Sequence, residues 1–268
     1  MKPFEGKTAI VTGSSAGLGR SMALKLAEGG ADVIINYAAS KAAAEEVAAA
    51  CAAFGGDVRC VRADMTEDAG CATLAEAARD WGHLDVLINN AGTTKRVPDH
   101  SDLKGLSRQD FLDLTSINVA APFIMVQACE DLLRAAHAKT GQAAAVLNTS
   151  SIAGVTGIGS SVAYAATKGA LNTLTLSLAR ALAPAIRVNA VCPGYIDTRW
   201  FSDHMPEDKY QALRASVEAR TPLKAASGPD DIADAALFLV SGAARHVTGE
   251  TLLVDAGTHL GFASLSMR

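Results

Sequence analysis

The sequence has no sustained basic run, and its formal net charge is -4. That removes the simplest electrostatic attraction to nucleic acid or to an anionic membrane surface. Its five cysteines, Cys51, Cys60, Cys71, Cys129 and Cys192, are odd in number and include no CxxC pair. Neither a disulfide framework nor a zinc ribbon follows from that spacing, and reduced thiols are expected. The six histidines show no HxxxH or HExxH spacing, so a metal-dependent hydrolase lacks support and no metal ligand is expected. The opening residues, MKPFEGKTAIVTG, lead almost directly into a strand-like run. A secretory signal would instead show a basic segment followed by a long apolar one, so none is expected. No uninterrupted strongly apolar stretch reaches the roughly 20 residues that cross a bilayer as a helix. Together these absences favour small-molecule chemistry in the cytoplasm, with neither nucleic acid nor membrane as a partner.

What is present is apolar material, 49% of residues against 19% charged, enough for a core enclosed on both faces of a sheet. Short apolar runs at Thr8–Thr12, Val33–Tyr37, Val58–Arg62, Leu84–Ile88, Ala144–Asn148, Arg187–Val191 and Leu252–Val254 read as buried strands. Alanine-rich segments alternate with them: Leu18–Glu28 closed by Gly29-Gly30, Lys41–Ala53, Ala69–Trp81, a long pair around Arg108–Lys139, and Ala163–Ala183 ended by Pro184. Strand and helix in alternation predict an α/β fold: a doubly wound parallel sheet of about seven strands with helices on both faces. No solenoid repeat and no Ser/Pro/Gly linker divides the chain, so residues 1–268 are read as a single domain. Two stretches break the rhythm. Thr93–Ser107 reads as a surface loop, with Lys95, Arg96, Lys104 and Arg108 as a solvated cluster. The stretch 200–228, carrying Trp200, Phe201, His204, Met205 and Tyr210, follows a strand's carboxyl end and reads as a substrate-covering lid.

The first strand opens through Thr12-Gly13-Ser14-Ser15-Ala16-Gly17-Leu18-Gly19-Arg20 directly into the first helix. Gly13 suits the tight turn, Gly17 lets backbone approach a pyrophosphate, and Gly19 lets helix and strand pack closely. This TGxxxGxG spacing resembles the short-chain dehydrogenase/reductase family, whose fold is a Rossmann-type NAD(P)-binding domain. Asn89-Asn90-Ala91-Gly92 after the fourth strand extends the resemblance. In that family the motif stabilises the central sheet and borders the adenosine ribose, which implies coenzyme contacts for Asn90, Ala91 and Gly92. The resemblance likewise implies contacts for Ser14, Ser15 and Leu18 in the glycine turn, and for Asp64 and Met65 at the adenine. Asp64 also suits a helix cap near Thr66. At the end of the second strand an acid would favour NAD by hydrogen-bonding the ribose 2′-hydroxyl. Tyr37 stands there instead, which favours NADP(H), with Ser40, Lys41 and Ser14 as available phosphate partners. The arginine that NADP-using relatives often carry at the place of Ala16 is missing, so NAD(H) stays open.

At the other end, Tyr164 and Lys168 are four apart and share one helical face. A cation at about 4 Å, in an effective dielectric near 20, favours a phenolate by roughly 4 kcal/mol, on the order of three pKa units before desolvation is subtracted. Lysine and an oxidised nicotinamide together would then bring a phenol of ordinary pKa near 10 into working range. The resemblance implies that Ser151, thirteen positions before Tyr164, polarises the substrate oxygen, with Ser150 as the alternative if the loop register is off by one. It implies that Asn118 holds a water beside the lysine. In Arg187-Val188-Asn189-Ala190-Val191-Cys192-Pro193-Gly194 it places Pro193 and Gly194 against the nicotinamide, with Ile196 and Thr198 on its carboxamide. The likeness covers nearly the whole chain, through Thr248–Gly257.

The expected function is hydride transfer between NAD(P)(H) and a carbonyl or alcohol. The sequence looks most like the 3-oxoacyl-[acyl-carrier-protein] reductases and general ketone reductases of the family, with a sugar or small secondary alcohol as the alternative substrate. A non-catalytic NAD(P)-sensing protein is the competing class, although such relatives usually lose the tyrosine or lysine that this chain keeps. Family members are commonly tetramers. Leu171, Leu174, Leu176, Leu178 and Leu182 give the Ala163–Ala183 helix more apolar surface than one sheet face demands, so a homotetramer or homodimer is expected.

Overall fold

The computed structural model describes residues 2–97, 99–198 and 205–261. Seven strands, β1 Thr8–Val11, β2 Asp32–Tyr37, β3 Val58–Arg62, β4 Val86–Asn89, β5 Ala144–Thr149, β6 Ile186–Pro193 and β7 Thr251–Val254, form one sheet in the order β3-β2-β1-β4-β5-β6-β7. Every pairing is parallel. Successive residues of a strand bury against opposite helical layers. Ile10, Ile34 and Leu87 join one apolar cluster, whereas Ala9, Val11, Val33 and Ile88 join the other. Because both faces are covered, these strands read as continuous apolar runs and not as alternating ones.

The helices are α1 Gly17–Glu28, α2 Lys41–Ala52, α3 Asp68–Ala77, α4 Arg108–Thr115, α5 Ala121–Thr140, α6 Ala153–Thr156, α7 Val162–Leu182, α8 Glu207–Arg220 and α9 Pro229–Val240. Local chemistry sets several of their starts. Ser107 and Asp110 form a reciprocal capping box on α4, and the Ser161 hydroxyl caps α7 by accepting from Tyr164 N at 3.1 Å. Neither α8 nor α9 is anticipated by the sequence reading. α9 begins with proline in its first turn and two acids behind it, and it packs on α1, where Lys25 meets Asp234 at 2.6 Å. By length and composition alone the helical stretch 108–140 is long and apolar enough to span a bilayer, although charged residues interrupt it. Its apolar side chains Met125, Val126, Cys129 and Leu133 are instead buried in a core cluster.

Two features of this layout position the site. First, the chain leaves β3 and returns to the far side of β1 through β4, so the crevice between the carboxyl ends of β1 and β4 is the topological switch point where such sheets bind ligands. Second, the stretch Thr93–Ser107 is more than a surface loop. Val97 N donates to Ser160 O at 2.7 Å, His100 Nε2 lies 2.9 Å from Gly159 O, and the Thr94 and Ser160 hydroxyls are hydrogen-bonded. The stretch is exposed for most of its length, as expected of a surface loop, and these bonds dock it on the segment that precedes Tyr164; pairing across some 60 residues of chain leaves no local signal.

Candidate active site

The glycine turn is built to leave room. Gly13 sits at φ +61°, and a Cβ on it would meet Ala91 Cα at 3.0 Å; a Cβ on Gly19 would meet Asn90 Nδ2 and Gly13 O, both at 2.5 Å. Around this turn the polar side chains work as staples. Asn90 Nδ2 donates to Thr12 O and Gly13 O at 3.0 and 3.1 Å. Thr12 Oγ1 accepts from Asn90 N and Ala91 N, each at 2.9 Å. Asn36 Oδ1 accepts from Gly13 N at 2.8 Å while its Nδ2 donates to Ala63 O at 3.0 Å. Ser14 Oγ donates to Val11 O and accepts from Asn36 N, both at 2.8 Å, so this hydroxyl holds the turn together.

A cavity of about 280 Å³ lies beside these staples, lined by Gly13, Asn36, Ala38, Asp64, Met65 and Asn90 among others. Asp64 does not cap α3, whose N-cap is Glu67; its Oδ1 accepts from Thr66 N and Thr66 Oγ1 at 2.9 and 2.8 Å, in the turn before that helix. Those bonds, the backbone one first, hold its carboxyl below the usual range. Tyr37 is not brought to the cavity. It is buried in the core cluster that holds Ala44 and Val47 of α2, so its phenol stays away from the coenzyme face. Ser15 and Ser40 lie outside the cavity lining as well, and the Ser40 hydroxyl makes no cap bond to α2.

Through Asn90 and Gly92 this cavity continues into a cleft of about 750 Å³. Leu18, Thr149, Ser151, Tyr164, Lys168, Pro193, Gly194, Ile196 and Thr198 all line it. The ends of β5 and β6 and the helix α7 thus deliver Ser151, Tyr164, Lys168 and the predicted nicotinamide-side residues to one place, while Asn118 stands outside that lining. Ser150 Oγ donates to Lys168 O at 3.1 Å, whereas Ser151 Oγ accepts from Ala153 N at 3.1 Å and shares the cleft wall with Tyr164, whose phenolate it favours. The register with Ser151 facing the tyrosine is the one the loop adopts. Asn118 occupies a π turn, Ser116–Ala120, between α4 and α5, a helical irregularity often found at functional sites. Its Oδ1 accepts from Thr93 N at 3.1 Å, and its Nδ2 donates to Thr93 O and Thr167 Oγ1 at 3.0 and 3.1 Å. A Cβ on Gly92 would lie 2.9 Å from Asn118 Oδ1 and 3.6 Å from Lys168 Nζ, so glycine is what lets those two groups converge.

Burial dominates the electrostatics. Lys168 is buried, its Nζ 5.7 Å from the centre of the Tyr164 ring and donating to Thr149 O at 2.7 Å. Loss of hydration pushes its pKa down to about 8. Tyr164 is pushed above its ordinary value, again by burial, with the Ser151 hydrogen bond pulling the other way. Lysine alone therefore does not bring this phenol into working range. Desolvation outweighs the attraction expected at 4 Å, and a further positive charge in the cleft is needed to bring the phenol down.

The cleft fits a nicotinamide coenzyme on the molecule's own terms. The glycine turn is a cradle that side chains would fill, and Thr149 Oγ1, on the wall of the cleft, is buried with no hydrogen-bond partner among the described residues. Of the lid expected over 200–228, Trp200, Phe201 and His204 lie outside the described residues. Met205 is half-buried, α8 takes up Glu207–Arg220 without burying a side chain, and Thr221 beyond it is buried. Residues that the sequence reading missed are Thr12 and Asn36 as staples, and Thr94, Ser160 and Tyr195 on the cleft wall.

Comparison with known proteins bears on the same residues. The family described as enoyl-(acyl carrier protein) reductase matches residues 13–259. The chain is 37% identical over 257 residues to 3-oxoacyl-[acyl-carrier-protein] reductase FabG of Staphylococcus aureus, covering 95% of this chain and 98% of the relative. It is 35% identical over 263 residues to an L-rhamnose 1-dehydrogenase (NAD(P)(+)) of Sphingomonas, covering 97% and 99%. Among solved structures, a short-chain dehydrogenase of Burkholderia cenocepacia in complex with NADP superposes with a TM-score of 0.83 at 32% identity, over 96% of this chain and 99% of that one.

Proposed function

The chain belongs to the short-chain dehydrogenase/reductase family, as an NAD(P)-dependent oxidoreductase acting on carbonyl and alcohol groups, and from that premise we propose how its residues divide the reaction. Tyr164 is the general acid in reduction and the general base in oxidation, moving a proton between its hydroxyl and the substrate oxygen. Ser151 hydrogen-bonds that oxygen throughout. Lys168 supplies the positive charge that favours the phenolate, and it would also hold the ribose of the coenzyme. Asn118 pins Thr93 and the π turn against Lys168 and completes the proton path. Gly13, Gly17, Gly19 and Asn90 would hold the nucleotide end, with Pro193, Gly194, Ile196 and Thr198 at the ring. When bound, the coenzyme supplies or accepts the hydride. The observation that carries this reading is the convergence of Ser151, Tyr164 and Lys168 on a cleft continuous with the glycine-turn cavity.

A 3-oxoacyl thioester or a general ketone is the favoured substrate, in keeping with the likeness to the Staphylococcus reductase. The Sphingomonas relative keeps a sugar or small secondary alcohol as the second reading. A panel of such carbonyls and alcohols, followed by coenzyme absorbance with NADPH and NADH in parallel, tests both. Coenzyme binding without turnover across the panel would shift the reading to a nucleotide sensor.

The coenzyme preference we infer is NADP(H). No acid from the end of β2 lines the nucleotide cavity, and Arg62 Nε donates to Ala38 O at 3.2 Å, which sets a guanidinium at that edge. Arg62→Gln is expected to weaken NADPH binding roughly tenfold, about 1.4 kcal/mol, while leaving NADH within about twofold. Equal losses for both coenzymes in fluorescence titration would remove Arg62 from this role. Exposed Phe111, Leu112, Phe123 and Leu176 on α4, α5 and α7 support assembly as a homodimer or homotetramer. A single species of monomer mass in sedimentation velocity would contradict that.

A further inference from the structure

A separate cavity of about 340 Å³ lies at the amino ends of β4, β5 and β6, on the opposite edge of the sheet from the catalytic cleft. Three cations, Lys7, Arg187 and Arg245, line it against one carboxylate, Asp85. Lys7 Nζ meets Asp85 Oδ1 at 2.8 Å, so those two charges answer each other. The guanidiniums of Arg187 and Arg245 form no ion pair among the described residues.

Arg187 is only 7% exposed. Its Nη1 donates to Leu239 O and Val247 O, both at 2.9 Å, and its Nη2 to Ser241 O at 3.3 Å, which ties β6 to the end of α9 and the turn after it. That work uses three of the five guanidinium donors. Nε and one hydrogen of Nη2 have no partner among the described residues, where the only sealed and unpartnered side-chain atoms are Asn89 Oδ1 and Thr149 Oγ1. Nε is therefore open, and what it opens to is this cavity. The bond to Val247 O holds the turn that carries Arg245 and His246 against the same wall. Burial pushes the Arg187 pKa down, and a buried cation is stabilised by an anion brought to its free donors. Phe4, Val86 and Val240, all buried, add an apolar side to the lining.

We propose that this cavity is a second ligand site, which takes an organic phosphate with its head between Arg187 and Arg245 and its apolar body along Phe4, Val86 and Val240. A guanidinium fork matches phosphate oxygens two at a time. The surplus of two positive charges matches the roughly two negative charges of a phosphate monoester at neutral pH. A volume of about 340 Å³ is ample for a small organic molecule and far more than a bare ion fills.

The test titrates phenyl phosphate into the full chain by calorimetry, with and without saturating coenzyme. One site with a Kd below about 1 mM is expected, unchanged by coenzyme. Arg245→Gln, at an exposed position outside the catalytic machinery, is expected to weaken that binding roughly tenfold or more while coenzyme Kd stays within about twofold. Arg187→Lys, which keeps the charge and loses the fork, is expected to weaken it by a similar factor. Should that buried change prevent folding, Arg245→Gln decides by itself. Benzyl alcohol, a neutral analogue, is expected to give no heat, and inorganic phosphate to bind roughly tenfold more weakly for want of the apolar contact. No binding of phenyl phosphate overturns the proposal, as does an affinity that Arg245→Gln leaves unmoved. Competition by coenzyme would put the anion in the nucleotide cavity and overturn it too. Inorganic phosphate bound as tightly as phenyl phosphate would rule out the organic ligand. None of these readings depends on turnover, so the assignment of the catalytic cleft stands or falls separately.

Discussion

Tyr164→Phe is expected to lower kcat by roughly 10³-fold or more, near the upper end of what a positioned general acid contributes, while leaving coenzyme Kd within about twofold. The ring is retained, so the packing of α7 is kept. The change deletes the phenolic oxygen that shares the cleft wall with Ser151 and Lys168, and with it the proton donor. Stopped-flow turnover alongside fluorescence titration of the coenzyme separates the two effects. If affinity and turnover fell together, Tyr164 would be shaping the nucleotide site, and the assigned role would be lost.

Lys168→Met is expected to do two opposite things: lower kcat/KM by at least roughly 10²-fold, and make the protein more stable at neutral pH. The second follows from linkage. Burial lowers the ammonium from 10.5 to about 8, so between those values the unfolded chain binds more protons than the folded one, and stability from this group rises with pH. Below about pH 8 the whole penalty is present, on the order of 3 kcal/mol. Part of it is offset by the bond to Thr149 O, worth about 1 to 2 kcal/mol. The variant's Tm at pH 7 is therefore expected to exceed that of the unmutated chain by roughly 3 to 6 °C, and the gap should close as pH rises from 8 to 10.5. A variant less stable at every pH would mean that the lysine is a structural support and not a strained functional group.

Much of this was readable in the residues, for identifiable reasons. The strands announced themselves because both faces of the sheet are covered, so residues 9–11 and 86–88 are apolar without a break. The glycine turn, the serine loop and the Tyr164–Lys168 pair are local in sequence, and the switch-point topology brings local motifs together. α8 was invisible because it buries nothing and so carries no periodic stripe. α9 did carry signals in Pro229, Asp230 and Asp231. Tyr37 was misleading by a single position: along β2 it is Asn36 that lines the nucleotide cavity. Contacts such as Asn118 with Thr93, or Val97 with Ser160, join residues far apart in the chain. No window of sequence contains both partners.

The strand order also governs how the molecule comes into being. Residues 8–62 contain three strands that can pair among themselves as soon as they leave the ribosome. The inner edge of β1, however, waits for β4 more than twenty residues later in the chain. A nascent chain halted in that interval shows a bare apolar strand with its hydrogen-bonding groups unmet, which is a template for the same strand of a neighbouring chain. Synthesis that stalls before β4 is complete leaves the cell an aggregation hazard that the finished sheet has sealed.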